Sequence, residues 1–407
     1  MIVHNKYITN YFLFLFSIIP VTILIGSASS VINILLIDLS FIILIIFKRN
    51  FAFLKSKPII YLSILYIYLI FNSFISLEFH QSFLRNFGFL RMIILFAAFN
   101  YFFFEDGFYK KLLKFWSITI LIVLVDVFIE SFTGRNIFGF GEMYGKRIVS
   151  FFKDEPIVGG YLNSFYLLVI GFLLNELKNK KNILIFLLAI LFIIAIILTG
   201  ERSNSIKAIL SLSLFLFFYK QFNWQIKISV ISTIAILVIV IFINSPSLKY
   251  RFIKQTISIV KENNMYFKLY SSGFEVFKNN IIFGVGNKNY REETCKPKSD
   301  LNSKQIKKYS CANHPHQIYF EFLSEHGLVG FFIFFFIMYK LVFSKIIRSI
   351  HENNYLSLGA LINIMIVFLP ILPGGAFFNN YMITIFIINL SIFYASDKNL
   401  NIFYNKL

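Results

Sequence analysis

The stretch NILIFLLAILFIIAIILTGERSNSIKAILSLSLFLFFYK, residues 182–220, decides the fold class. Its two apolar runs, 182–199 and 204–220, are separated only by TGERSNS. A membrane-crossing helix needs about 20 mostly apolar residues, with a range of about 17–25. Further windows of this kind lie at 9–26, 31–47, 59–77, 87–104, 112–130, 159–177, 227–243, 317–339, 355–372 and 377–395. Together they predict an all-α integral membrane protein with about twelve transmembrane helices. Only SASS divides the first two.

Composition points the same way. The chain is 57% hydrophobic and 14% charged, with 54 phenylalanines, and its mean hydropathy is +0.72. Soluble domains are about 45–50% apolar and about 25% charged. The formal net charge of +19 does not indicate nucleic acid, because the basic residues sit in short clusters between apolar runs rather than as a stripe interleaved with aromatics. The apolar run from Tyr11 to Gly26 has no small-residue cleavage site after it, so it is expected to be a retained first helix.

Orientation follows from lysine and arginine in short loops. Lys48, Arg49, Lys55 and Lys57; Lys110, Lys111 and Lys114; Lys178, Lys180 and Lys181; Lys220 and Lys227; and Lys340, Lys345 and Arg348 all alternate onto one side, together with both termini. That side is expected to be the cytoplasm. The organisation is then helices 1–9 over residues 1–243, a large periplasmic loop over 244–316 between helices 9 and 10, and helices 10–12 over 317–407. Two shorter periplasmic segments, 131–158 and 199–205, fall on the same face. In the long loop, SLKYRFIKQTISIVKEN reads as an amphipathic surface helix and YSSGFEVFKNN as a second helix, while 292–310 is polar and Lys-rich. Both cysteines, Cys295 and Cys311, lie here. A disulfide is the favoured reading on an oxidising face; unpaired thiols and a zinc site are the alternatives, and C-x15-C-x2-H-x-H fits no usual zinc spacing.

The polar residues of the outer face are the candidates for chemistry. Arg147 lies in KRIVSFFKDEPIVGGYL, where a solvated loop with a helix cap competes with an arginine reaching an anion. Arg202 and Glu201 are forced to the membrane edge, either as an interface ion pair or with the guanidinium free to bind phosphate. FGVGNKNY, residues 283–290, reads as a tight turn. His314, His316, Glu321, Glu325 and His326 crowd the start of the tenth apolar run, with Glu321 and Glu325 on one helix face. Lipid does not tolerate that density of polar groups, so a cavity is expected there. Three inner acids, Asp38, Asp126 and Glu130, are read either as lining the same cavity or as pairing with Arg85 or Arg91, and the structural pairing is preferred.

Four of these stretches, in this order, resemble the O-antigen ligase and polymerase superfamily. HPHQIYFEFLSEHGLVG is similar to its histidine signature, LTGERSNS to its Thr-Gly-Ser-Arg segment, FGVGNKNY to its Gly-x-Gly stretch, and RIVSFFKDEPIVGGYL to its middle arginine segment. The resemblance covers about residues 140–335 in motifs and the whole chain in topology. It implies a metal-free, cofactor-free membrane glycosyltransferase acting on undecaprenyl-diphosphate-linked glycans at the periplasmic face of the bacterial inner membrane. A polymerase is favoured over a ligase that uses lipid A core or a protein as acceptor, and a flippase is the reading from another class. Membrane lipid and a chain-length regulator are the further partners implied.

Carried over residue by residue, the resemblance makes His316, Glu325 and Tyr319 the catalytic set. His316 would orient or deprotonate the acceptor hydroxyl, with Glu325 and Tyr319 bracing the site and His314 and Glu321 secondary. Arg147 and Arg202 would hold the diphosphate. Family members carry another arginine before the Gly-x-Gly stretch; here Lys268 or Arg251 stands in for it. Gln317 replaces the usual asparagine, and Ile281 lies where a proline is expected.

Overall fold

The computed structural model describes residues 6–404 apart from 106, 142–146, 154, 178–181, 258–264, 298, 300 and 301. Asp154, Lys178, Lys180, Lys181 and the end of the expected amphipathic helix therefore lie outside the described residues. Among those described, the chain is helical throughout, with one isolated β-bridge between Arg135 and Gly141.

Among the described residues, eight helices are long and apolar enough to cross a membrane: Lys6–Ile25, Ser27–Lys48, Lys57–Phe74, Phe79–Phe102, Phe108–Thr133, Val158–Leu177, Trp224–Asn244 and Ile318–His351. The other four spans read from the sequence fall on shorter helices. Asn182–Leu198, Tyr355–Val367 and Asn380–Ala395 are apolar throughout, and Arg202–Phe218 carries Arg202 and Lys207 near its start. At about 1.5 Å per residue a 17-residue helix covers about 25 Å, short of a hydrocarbon core about 30 Å thick. The expected count of twelve thus resolves into eight full-length helices and four short ones.

Because lipid is as apolar as leucine, association within the membrane rests on close packing and polar contacts. Val158–Leu177 is the most enclosed of the eight and packs directly on Tyr355–Val367. A side chain at Gly171 would collide with the Tyr355 carbonyl, and one at Gly359 with the Leu167 carbonyl. Asn363 donates to the Ser164 carbonyl at 2.9 Å and to Asn389 at 3.0 Å. Tyr166 donates to the Ala208 carbonyl at 2.8 Å, tying in Arg202–Phe218. Trp224–Asn244 is peripheral, with Lys227 and Ile234 its buried residues.

Near the end of Phe108–Thr133, Asp126 and Glu130 do not pair with Arg85 or Arg91. Asp126 accepts from Ile137 N at 2.9 Å and from the Ser150 hydroxyl. Glu130 accepts from Val149 N at 3.0 Å and Ser150 N at 2.6 Å. These carboxylates satisfy loop amides that would otherwise be buried without partners, so they fix the segment that carries Arg147. Arg85 instead lies within electrostatic reach of Glu325 and Glu321. Arg91 donates to Asn380 and lies near Asp38.

The segment 244–316 is partly helical among its described residues. Met265–Asn279 is helical, and short helices cover Tyr290–Thr294 and Ser303–Lys308. Cys295 and Cys311 form a disulfide with their Cα atoms 4.7 Å apart. Glu275 gathers Lys308 at 3.1 Å and Lys304 at 3.2 Å. The 283–290 turn docks on the Ile318–Leu341 helix, with Val285 N donating to Ser324 O at 3.0 Å and Gly286 N to Glu325 O at 2.9 Å. Gly284 (φ +70°) and Gly327 (φ +62°) allow this approach. A side chain on Gly284 would strike the Glu325–His326 backbone, and one on Gly327 the Ile282–Phe283 backbone.

The glycine contact in the membrane is directly testable. Overpacking a closed interface costs about 1–3 kcal/mol or more. Gly171→Val and Gly359→Val are each expected to lower the melting temperature in detergent and the yield of monodisperse protein. Gly374→Ala, at a position where the nearest atom to the added methyl is the end of Lys207 at 3.8 Å, should do neither.

Candidate active site at the outer face

Four segments far apart in sequence line one cavity of about 730 Å³. Arg147 comes from the segment before Val158–Leu177. Arg202 opens its own helix. Arg251 comes from the turn after Trp224–Asn244, and His316 precedes Ile318–Leu341. All four side chains line the wall.

Glu201 organises the first two. Its carboxylate accepts from Gly159 N at 2.7 Å, Gly160 N at 3.1 Å and Asn204 Nδ2 at 2.6 Å. Those amides are orphan donors at the start of Val158–Leu177, where the helix dipole also favours an anion. Burial raises the Glu201 pKa, opposed by these hydrogen bonds and by Arg147. Glu201 is therefore a helix cap rather than the ion-pair partner of Arg202. The Gly159–Gly160 pair keeps this carboxylate close, since a Cβ on Gly159 would lie 2.6 Å from the Thr199 hydroxyl.

Released from that pairing, Arg202 donates to the Thr256 hydroxyl at 3.1 Å. Arg251 Nε donates to Gly200 O at 2.6 Å. Arg147 donates to Pro156 O at 2.9 Å, and its Nε has no partner among the described residues. Burial, then the like charges of Arg147 and Arg202, lower the Arg251 pKa. Three guanidinium groups thus converge while remaining charged, and each keeps unused donors. Such a cluster is a seat for a multiply charged oxyanion.

A strap made by residues 371–377 closes the opposite wall. Tyr270 donates to Ile371 O at 2.8 Å, and the Ser203 hydroxyl to Pro373 O at 2.6 Å. Gly374 N donates to His316 O at 2.8 Å. Phe377 N donates to Glu321 Oε1 at 2.8 Å. His316 is held in the left-handed region, at φ +59°. The His314 ring lies 4.0 Å from it, centroid to centroid, with Nε2 3.3 Å from Gly374 O. Burial pushes the His314 pKa down to about 4, aided by His316, and burial also lowers that of His316. Both imidazoles are neutral at pH 7, the form in which a ring nitrogen can take a proton.

The remaining expected residues face elsewhere. Tyr319 donates to Phe368 O at 2.7 Å and stacks on Phe335. Glu325 accepts from Tyr290 N at 3.3 Å and so holds the Gly-x-Gly turn. Glu321 holds the strap. These three, and Lys268, do not line the cavity. Of the two basic residues offered for the family's additional arginine, it is Arg251 that reaches the wall. The sequence reading passed over Glu201 as a cap, Lys207, and the strap. Lys207 was visible as a cation just inside an apolar run, and the strap as the Pro-Gly cluster PILPGG.

Residues 187–335 match the model of the O-antigen ligase family. The matched part of the chain holds Arg202, Arg251 and His316, with Arg147 upstream of it. No curated protein matches the chain.

The histidines make a pH prediction. Their folded pKa values lie below the ordinary 6.5, so below pH 6.5 the unfolded chain binds protons that the fold refuses. Their contribution is present above pH 6.5 and is lost as pH falls toward the folded values. Glu201, shifted up, has the opposite sign. Detergent melts from pH 7 to 4.5 should therefore be compared between wild type and His314→Gln. The variant should lose less stability on acidification.

Proposed function

We propose that this chain is a glycosyltransferase for undecaprenyl-diphosphate-linked oligosaccharides at the periplasmic face of the inner membrane. We take polymerisation of surface-polysaccharide repeat units as its reaction, with transfer to lipid A core or a protein as the alternative. The observation that carries the reading is the convergence of Arg147, Arg202, Arg251 and His316 on one cavity.

The chemistry suits this set. An acceptor hydroxyl attacks the anomeric carbon, the acceptor–carbon bond forms, and the bond from that carbon to the phosphate oxygen breaks. The acceptor proton passes to neutral His316, and the electron pair departs with the diphosphate. Charge develops on the leaving group, where pre-positioned cations help most. The apolar stretch of the wall, with Ile364, Ile366, Val367, Ile385 and Phe386, suits a polyprenyl chain. Glu325 and Tyr319 act in this scheme as bracing residues.

Reconstitution with lipid-linked repeat units, without lipid A core, tests the reading on a gel. A ladder of longer lipid-linked glycans means polymerisation. Transfer only after lipid A core or a protein acceptor is added means ligation. No transfer from folded protein with any of these acceptors overturns the proposal. His316→Ala is expected to lower the rate by about 10²–10⁴. Arg147→Ala and Arg202→Ala should each cost about 10²–10³, with membrane insertion unchanged.

A further inference from the structure

Lys207 is the cavity's unassigned charge. It lies on the same helix as Arg202, about 7.5 Å further along the axis at 1.5 Å per residue. Its side chain lines the same cavity, yet the residue is only 8% exposed. The ammonium has three donors. It makes one long hydrogen bond, 3.4 Å to Pro373 O, an oxygen that already accepts from Ser203 at 2.6 Å. Among the described residues no carboxylate lies within ion-pair distance of it. A buried cation with so little compensation is costly unless it faces an anion.

Its surroundings say which part of a substrate it would meet. Lys207 Nζ borders Pro373 and Gly374. Gly374 N–H holds the His316 carbonyl, and Gly374 O faces His314. The ammonium and the two imidazoles thus flank one short stretch of the strap, while Arg147 and Arg251 come from other elements and Arg202 from the start of the lysine's own helix.

We propose that Lys207 binds the phosphate that leaves the anomeric carbon, as a further substrate-binding residue of this chain. The inference rests on the glycosyltransferase reading above. An acceptor hydroxyl within reach of His316 must also be at the anomeric carbon. The phosphate nearest the histidine is then the one bonded to the sugar, and Lys207 shares with that histidine the 373–374 stretch of the strap. As the carbon–oxygen bond breaks, the departing oxygen gains charge and Lys207 donates a hydrogen bond to it. The lysine stays protonated, the acceptor proton goes to His316, and no further reactant is needed.

The test uses the full-length protein in proteoliposomes, with lipid-linked repeat units as donor and undecaprenyl diphosphate as a binding probe. Lys207→Met is expected to lower kcat between about tenfold and a hundredfold, and affinity for undecaprenyl diphosphate at least about tenfold. Lys207→Arg should restore most of both. A lysine that merely caps the strap would shift the melting temperature and leave probe affinity unchanged, which overturns the assignment. Should Lys207→Met not fold, the wild type decides. Undecaprenyl diphosphate should slow modification of Lys207 by an amine-selective reagent, read by mass spectrometry, and equal modification with and without the lipid overturns the proposal. Wild-type protein that neither binds the probe nor transfers glycan overturns the function itself. Wild-type protein that does both while Lys207→Met matches it overturns only the lysine.

Discussion

The buried carboxylate of Glu201 is the interaction on which the cavity depends. It accepts the amides of Gly159 and Gly160 and so fastens the start of one helix to the start of another. One helix follows the segment carrying Arg147; the other begins with Arg202. A single short contact therefore sets the spacing of two guanidinium groups. It also removes the one acid that could have neutralised Arg202 locally, which leaves that charge available to the cavity.

Around the cavity, several acids besides Glu201 spend their oxygens on backbone amides, and the wall carries four cations, Arg147, Arg202, Lys207 and Arg251, against the acids Glu155 and Glu201. Glu130 takes Val149 and Ser150, Glu321 takes Phe377, and Glu325 takes Tyr290. Glu130 thereby fixes the loop that carries Arg147 and Glu321 fixes the strap, while Glu325 holds the Gly-x-Gly turn, which lies off the wall. Electrostatic preorganisation of this kind needs no rearrangement when charge develops on a bound group. The frame beneath it is largely apolar and glycine-packed, with Asp38 and Arg91 among its few charged groups.

The sequence reveals the helices well because hydropathy is the property that lipid selects, and each apolar run overlaps a helix, eight of which are long enough to cross a membrane among the described residues. Of the cations at the wall, Arg147 and Arg202 stand out at the edges of such runs, Arg251 competes with Lys268, and Lys207 sits inside its run. What the sequence does not reveal is direction. Glu321 and Glu325 share a helical spacing, but one reaches the strap and the other the Gly-x-Gly turn. Asp126 and Glu130 look like partners for arginine, yet their oxygens meet amides with no side-chain signature. Glu201 beside Arg202 suggests a pair, and only the fold brings Gly159 close enough to compete for it. The strap is short, irregular and far from the motifs in sequence, so no periodicity marks it.

The contact between the Gly-x-Gly turn and the kinked helix bears on how this protein can vary. At Gly284 and Gly327 the opposing atoms are main chain, not side chain. No substitution on the facing partner can make room for an added methyl at either position. The two glycines therefore cannot drift by compensating exchanges, as ordinary core neighbours do. Change at this joint must come by insertion or deletion that moves the backbone itself, and such a change would carry the acid holding the turn and the histidine preceding the helix along with it.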